Sequence, residues 1–196
     1  MRGPVVVKVG GSLIDCLPRI LEILRDERHP SLIVPGGGPF ANTVRKLAPR
    51  EEEAHWMAVA AMEQYGWYIA SFGVPIAEAL IIPRGTSVLL PYRLMREMDP
   101  LPHSWSVTSD TISAWVAGTL GLELLVLKSV DGLTRDGDLL TNVQGPIETP
   151  EVDPIFVSYV LAHGIRATIL NGREEGRLEG FFAGIPVPCT RLDTRF

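Results

Sequence analysis

Residues 5–12 read Val5-Val6-Val7-Lys8-Val9-Gly10-Gly11-Ser12, a β-branched run that breaks into a glycine turn. The pattern recurs along the chain. Leu32-Ile33-Val34 runs into Pro35-Gly36-Gly37-Gly38, Leu124 to Leu127 into Lys128-Ser129-Val130-Asp131-Gly132, and Ala167 to Leu170 into Asn171-Gly172. Strands that are apolar throughout are covered on both faces, as in a parallel sheet with helices on each side. Ligands of such sheets sit beyond the carboxyl ends of the strands, where these glycine turns would converge.

The intervening segments support this reading. Leu13 to Arg25 has helical spacing (Leu17, Ile20, Leu21, Leu24), with Pro18 in a first turn. Further helices are expected from Phe40 to Leu47, Glu53 to about Phe72, Tyr92 to Met98, Pro154 to Ala162 and Glu174 to Phe182. Another is capped by Thr108 or Ser109 and ends near Gly121. The proline-rich stretch from Gly73 to Pro102 offers short strands at Ile81-Ile82 and at Val88-Leu89-Leu90, and Arg135-Asp136-Gly137-Asp138 reads as a hairpin turn. The expected fold class is α/β, a three-layer αβα sandwich around a mainly parallel central sheet.

At 196 residues the chain fits one domain with a sizeable core. Its 46% hydrophobic content excludes disorder, and its net charge of −5 without basic blocks argues against nucleic-acid or membrane-surface binding. No apolar run approaches the roughly 20 residues of a spanning helix. Met1-Arg2-Gly3-Pro4 leads directly into a strand, so no signal peptide is expected. Cys16 and Cys189 have no motif spacing and are expected to be isolated thiols in a reducing compartment, hence a cytoplasmic protein.

Of the 18 basic residues 15 are Arg and three are Lys: Lys8, Lys46 and Lys128. Lys8 and Lys128 lie within or directly after apolar strands. Such a lysine is costly unless its ammonium reaches an anion, or snorkels to the rim. A glycine turn leading into a helix presents backbone N–H groups that suit a phosphate, although a single Gly-Gly pair is also compatible with a plain tight turn. Neither turn is a Walker A loop or a dinucleotide fingerprint. Asp110, in a helical first turn, either opposes the helix dipole or holds the lysines in place. His29, His55, His103 and His163 form no metal-ligand spacing, and no Ser-His-Asp or catalytic Cys arrangement is present.

Four ordered segments, Val7-Lys8-Val9-Gly10-Gly11-Ser12-Leu13, Val34-Pro35-Gly36-Gly37-Gly38, Thr108-Ser109-Asp110-Thr111 and Val130-Asp131-Gly132-Leu133, resemble the motifs of the amino acid kinase superfamily. The resemblance spans residues 5 to about 172. His55-Trp56-Met57-Ala58, Met62, Gln64-Tyr65-Gly66 and the Lys128 variant of the fourth motif resemble the branch that phosphorylates an aminomethylfuran phosphate monoester in methanofuran biosynthesis.

The resemblance implies an ATP-dependent kinase, with Mg²⁺ held mostly by ATP phosphates and water. Lys8, Gly10, Gly11 and Ser12 would hold the ATP phosphates, and Lys8 would stabilise the transferring group. Lys128, Asp131, Gly132, Asn171 and Gly172 would lie on the nucleotide side. Gly36, Gly37 and Gly38 would offer N–H groups to the acceptor and the γ-phosphate, with Asn42 where isopentenyl phosphate kinases carry a His. Asp110 would orient the cations. The second catalytic Lys of acetylglutamate kinases has no counterpart after Lys128, which leaves Lys128 as its substitute. The single domain would comprise an acceptor lobe, about 1–105, and a nucleotide lobe, about 106–196.

His55 is either a second acceptor contact or a core histidine. Glu63 or Gln64 would meet an amine, and Trp56 or Tyr65 would stack on a flat ring. The helix from Glu53 to Phe72 is apolar on nearly every face, so it is either core or the interface of a homo-oligomer. The competing readings are a kinase of a carboxylate or nucleoside monophosphate, and a non-catalytic nucleotide-binding or storage protein.

Overall fold

The computed structural model describes residues 3–25 and 29–193. Met1 and Arg2, the start of the segment read as lacking a signal peptide, lie outside the described residues. The elements in chain order are β1 (Val5–Val9), α1 (Leu17–Leu24), β2 (Ser31–Pro35), α2 (Gly38–Leu47), α3 (Glu51–Ala70), β3 (Ile76–Ala77), β4 (Ser87–Leu89), α4 (Tyr92–Met98) and α5 (Ser109–Leu120). They continue with β5 (Glu123–Lys128), β6 (Thr134–Arg135), β7 (Asp138–Leu139), β8 (Asn142–Val143), α6 (Phe156–Ala162), β9 (Ala167–Asn171), α7 (Arg177–Ala183) and β10 (Cys189–Leu192).

Eight strands form one sheet in the order β3-β4-β2-β1-β5-β9-β10-β8, parallel except where β10 pairs antiparallel with β9. β1 lies at the reversal of strand order: the chain first builds outward through β2 and β4, then returns to place β5 on the other side of β1. A crevice opens at such a reversal beyond the strand ends. The sheet separates two cores. Val5, Val7 and Val9 face one with Leu17, Ile20, Leu125, Leu127 and Phe181, and Val6 faces the other with Ile112, Trp115, Leu124, Val126 and Phe156. Strand side chains alternate with period two. That alternation puts Lys8, after Val7, and Lys128, after Leu127, on the face covered by α5.

Several expectations change. Ile81-Ile82 is not a strand. The edge of β4 is occupied by Ile76–Ala77, paired with Val88 and Leu89. Ile81 and Ile82 are exposed and precede Pro83, which has no N–H to pair. Leu13 lies in a 3₁₀ turn, Gly11–Leu13, and α1 begins only at Leu17. The last helix begins at Arg177, not Glu174. β8 and β10 were not expected from the sequence; they extend the sheet beyond β9. The 135–138 hairpin forms β6 and β7, with Asp136 (φ +54°) and Gly137 (φ +89°) in the turn. Among the described residues no helix is long and apolar enough to cross a membrane. Cys16 and Cys189 are free thiols.

Candidate active site

A cavity of about 430 Å³ opens at the strand-order reversal. Lys8, Gly11, Ser12, Gly36 to Gly38, Asn42, His55, Asp110 and Lys128 all line it, joined by Arg45, Trp105, Thr108 and Ser109. At one end the two glycine turns touch. A Cβ on Gly11 would overlap Gly38 Cα and lie 2.8 Å from its nitrogen, so only glycine permits this approach. Gly38 itself has φ +55° and rests against the Tyr65 ring.

The N–H of Gly36 donates to the Val9 carbonyl at 2.9 Å, and that of Gly10 to Leu127 at 3.4 Å. These two donors are therefore spent within the sheet, which corrects the expectation for Gly36 as a phosphate donor. The donors left to face a ligand come from Gly11, Ser12, Gly37 and Gly38, at the starts of the 3₁₀ turn and α2, where helical N–H groups lack intrahelical acceptors.

Lys8, Asp110 and Lys128 form a single charge cluster. Lys8 Nζ lies 2.8 Å from Asp110 Oδ1 as an ion pair, and Lys128 Nζ donates to Asp110 Oδ2 at 2.7 Å. Lys8 and Asp110 are buried. Burial pushes the Asp110 carboxyl up, but the charges of Lys8 and Lys128 outweigh it and hold it below the usual carboxylate range. Lys128 is depressed by burial and then by the Lys8 charge, with Asp110 opposing both. The cluster is thus two cations on one carboxylate, with net positive charge facing the cavity. Among the described residues Asp110 is the only carboxylate that lines it.

α5 is fixed at its start by its cap and by Asp153. Thr108 Oγ1 accepts from the Asp110 N–H at 3.3 Å. The buried Asp153 accepts from Thr108 N–H and hydroxyl, from Thr111 N–H and hydroxyl, and from Phe156 N–H. Asp153, Trp105 and Arg45 escaped the sequence reading. Asp153 precedes Pro154 at a helix start, an available capping signal, whereas nothing near Trp105 or Arg45 marks them in sequence.

The far end of the cavity is apolar, with Ala58, Val59, Met62, Val107 and Ile112. His55 lines it, stacked on His103 at 4.7 Å, and its buried Nε2 has no hydrogen-bond partner. Burial, then the neighbouring His103, depresses its basicity, which favours the neutral ring. The other proposed acceptor contacts are placed elsewhere. Glu63 accepts from the Tyr92 N–H at the start of α4, and Gln64 is exposed. Tyr65 is fully buried beneath Gly38, and Trp56 packs among His55, His103 and Arg96. The aromatic surface of the cavity is Trp105 instead, with the Arg45 guanidinium 5.2 Å from its ring centre.

Asp131, Gly132, Asn171 and Gly172, expected on the nucleotide side, cluster next to Lys128 but do not line the cavity. Asn171 Nδ2 donates to Asp131 Oδ1 at 3.0 Å, and Gly172 N–H donates to the Lys128 carbonyl at 2.8 Å. Gly132 packs against Thr190 of β10, where a Cβ would overlap the hydroxyl. Among the described residues no group of three or more His, Cys, Asp or Glu could hold a metal ion.

A comparison with protein-family models finds no match. The chain is similar to a [5-(aminomethyl)furan-3-yl]methyl phosphate kinase of Methanocaldococcus jannaschii, 28% identical over 91% of this chain and 93% of that protein. Its fold resembles the UMP kinase of Bacillus anthracis (TM-score 0.75, 17% identity, 99% of this chain and 97% of that one). It also resembles the UMP kinase of Ureaplasma parvum (TM-score 0.71, 12% identity, 98% and 99%). The resemblance carried by the four motifs thus extends to overall sequence and to fold.

Proposed function

We propose that this chain, a kinase of the amino acid kinase fold, transfers the γ-phosphate of ATP to a small phosphate monoester. The favoured acceptor is [5-(aminomethyl)furan-3-yl]methyl phosphate, which would become the diphosphate in methanofuran biosynthesis. The observation that carries this reading is the Lys8–Asp110–Lys128 cluster beside two touching glycine turns in one cavity. An acceptor phosphate oxygen attacks Pγ; the new O–P bond forms as the bond to the β-phosphate oxygen breaks, and ADP leaves. Phosphoryl transfer asks chiefly for alignment and positive charge, which Lys8 and Lys128 supply. The acceptor oxygen is already ionised, so no general base is required, and Asp110, held ionised with both oxygens engaged, orients the cations. Mg²⁺ would be held by the ATP phosphates and water and would neutralise their charge, since Asp110 is committed to the lysines and, among the described residues, no other carboxylate lines the cavity.

ATP would run from Gly11 and Ser12 past Lys128 toward Asp131, Gly132, Asn171 and Gly172, which makes residues from about 106 the nucleotide lobe and those up to about 105 the acceptor lobe. The acceptor phosphate would meet Gly37, Gly38 and Asn42. Its ring would lie beside Trp105, and its amine toward His55, which lines the cavity and whose burial favours the neutral ring. Calorimetric titration tests this. The furan phosphate is expected to bind at least about tenfold tighter than the corresponding alcohol, the equivalent of about 1.4 kcal/mol. Equal binding of the two refutes a phosphate acceptor, and preference for UMP or acetylglutamate moves the acceptor to another class.

The apolar residues of α3 divide between two faces: Val59, Met62, Tyr65 and Ile69 are buried in the core, while Met57, Trp67 and Tyr68 remain exposed. We expect a homo-oligomer through this remaining face. Sedimentation at micromolar concentration is expected to show a dimer or larger species that Trp67→Glu dissociates; a monomeric parent protein overturns it.

A further inference from the structure

We infer that Asp153 is a positioning residue for phosphoryl transfer, acting through the first turn of α5 to aim Asp110 between the two lysines. The inference rests on the kinase reading above and adds a residue outside the cavity to it. Asp153 is buried, and its two oxygens accept five hydrogen bonds. Oδ2 takes Thr108 N–H (2.8 Å), Thr108 hydroxyl (2.9 Å) and Thr111 N–H (3.0 Å). Oδ1 takes Thr111 hydroxyl (2.6 Å) and Phe156 N–H (2.9 Å). The residues it grips, 108 and 111, bracket Asp110. Thr108 carries the restraint further, because its hydroxyl donates to Asp153 while accepting from the Asp110 N–H.

The donors satisfied here are those a helix leaves unpaired at its start. One short polar side chain normally caps one or two of them. Here a carboxylate 42 residues later in sequence closes the first turn from outside and caps α6 at the same time. The negative charge also favours protonated Lys128. The charged groups facing Lys128 are Lys8, which depresses it, and Asp110 and Asp153, which support it. Asp153 thus holds the turn that carries Asp110 and adds a smaller, favourable charge toward Lys128.

Asp153→Asn retains the shape but defeats the function. Whichever way the amide is turned, its NH₂ meets a backbone N–H, of Thr108 and Thr111 on one side or of Phe156 on the other. The test compares this variant with the parent protein in steady-state kinetics with ATP and the furan phosphate. It also follows the Cε signals of ¹³C-labelled lysine, which the three lysines of this chain keep simple. The expected result is a fall in kcat of about tenfold or more with KM for ATP within threefold, together with titration of Lys128 at lower pH and an alkaline limb of the rate profile displaced to match. Parent-like kcat and Lys128 titration in a folded variant overturn the inference. Should Asp153→Asn fail to fold, Thr111→Val removes only one of the five donors. A several-fold lower kcat at unchanged KM then supports the inference, and a normal kcat overturns it. A parent protein that phosphorylates no acceptor instead refutes the kinase reading, and the Lys128 titration alone then decides the role of Asp153.

Discussion

Lys8→Ala is expected to lower kcat about a hundredfold or more while leaving the fold intact. Lys8 ends in the cavity beside the glycine turns, with its ammonium held 2.8 Å from Asp110, so its charge is oriented before any substrate binds. Removing one preorganised group of this kind from a transition state costs about 2.7–4 kcal/mol, equivalent to a factor of a hundred to a thousand. The truncation leaves Asp110 paired with Lys128, and the site remains neutralised. Lys8→Arg is not expected to restore activity. The sequence uses Arg for 15 of its 18 basic residues, yet a branched guanidinium does not reproduce the compact ammonium that sits between Gly10 and Asp110. Steady-state kinetics checks both variants, and near-parental turnover in Lys8→Ala removes Lys8 from the chemistry.

Asp110→Asn is the second large effect, and it appears in stability as well as in rate. Without the carboxylate, two ammonium groups face each other in a buried site. Removing one partner of a buried ion pair costs about 3–5 kcal/mol. In a chain of this size that lowers Tm by about 10 °C, with kcat reduced at least as far as in Lys8→Ala. The pH dependence gives the sign. The folded Asp110 titrates below the usual carboxylate range, so its contribution is complete above the unfolded value and is lost as pH falls through the folded one. The Tm difference between parent and variant is therefore expected to be full at neutral pH and to close in acid. Thermal melts across pH check this; a difference that persists unchanged below the range in which Asp110 protonates contradicts the role assigned to it.

Much of this site was legible in the sequence because its signals are local. A lysine among valines, a glycine turn after each strand and a Thr cap before Asp110 each follow from adjacent residues. What joins them was not legible, because it depends on register. Lys8 and Lys128 meet on Asp110 only because β1 and β5 are neighbours, with Lys8 opposite Val126. The fully apolar strands could be read, whereas Cys189-Thr190-Arg191-Leu192 pairs antiparallel with β9 and carries an exposed Arg191 that gives no strand signal. Tyr65 and Trp56 were of the expected kind for a ring-binding role, but helical rotation puts them under the glycine turn and against His103. Trp105 reaches the cavity from a loop, where no periodicity predicts direction.

The contact between Gly11 and Gly38 has a consequence for how this protein could change its substrate. The two glycine turns meet backbone to backbone, so they form one floor whose spacing is not set by side chains. On the proposed kinase reading, the spacing between donor and acceptor phosphates would be a property of that floor. The walls, from α2, α3 and the loop before α5, are built of side chains alone: Asn42, Arg45, Val59, Met62 and Trp105. In the proposed kinase, chemistry and selectivity would therefore occupy separate parts of the molecule, and the walls could be rebuilt around a new acceptor while the distance over which the phosphoryl group travels stayed the same.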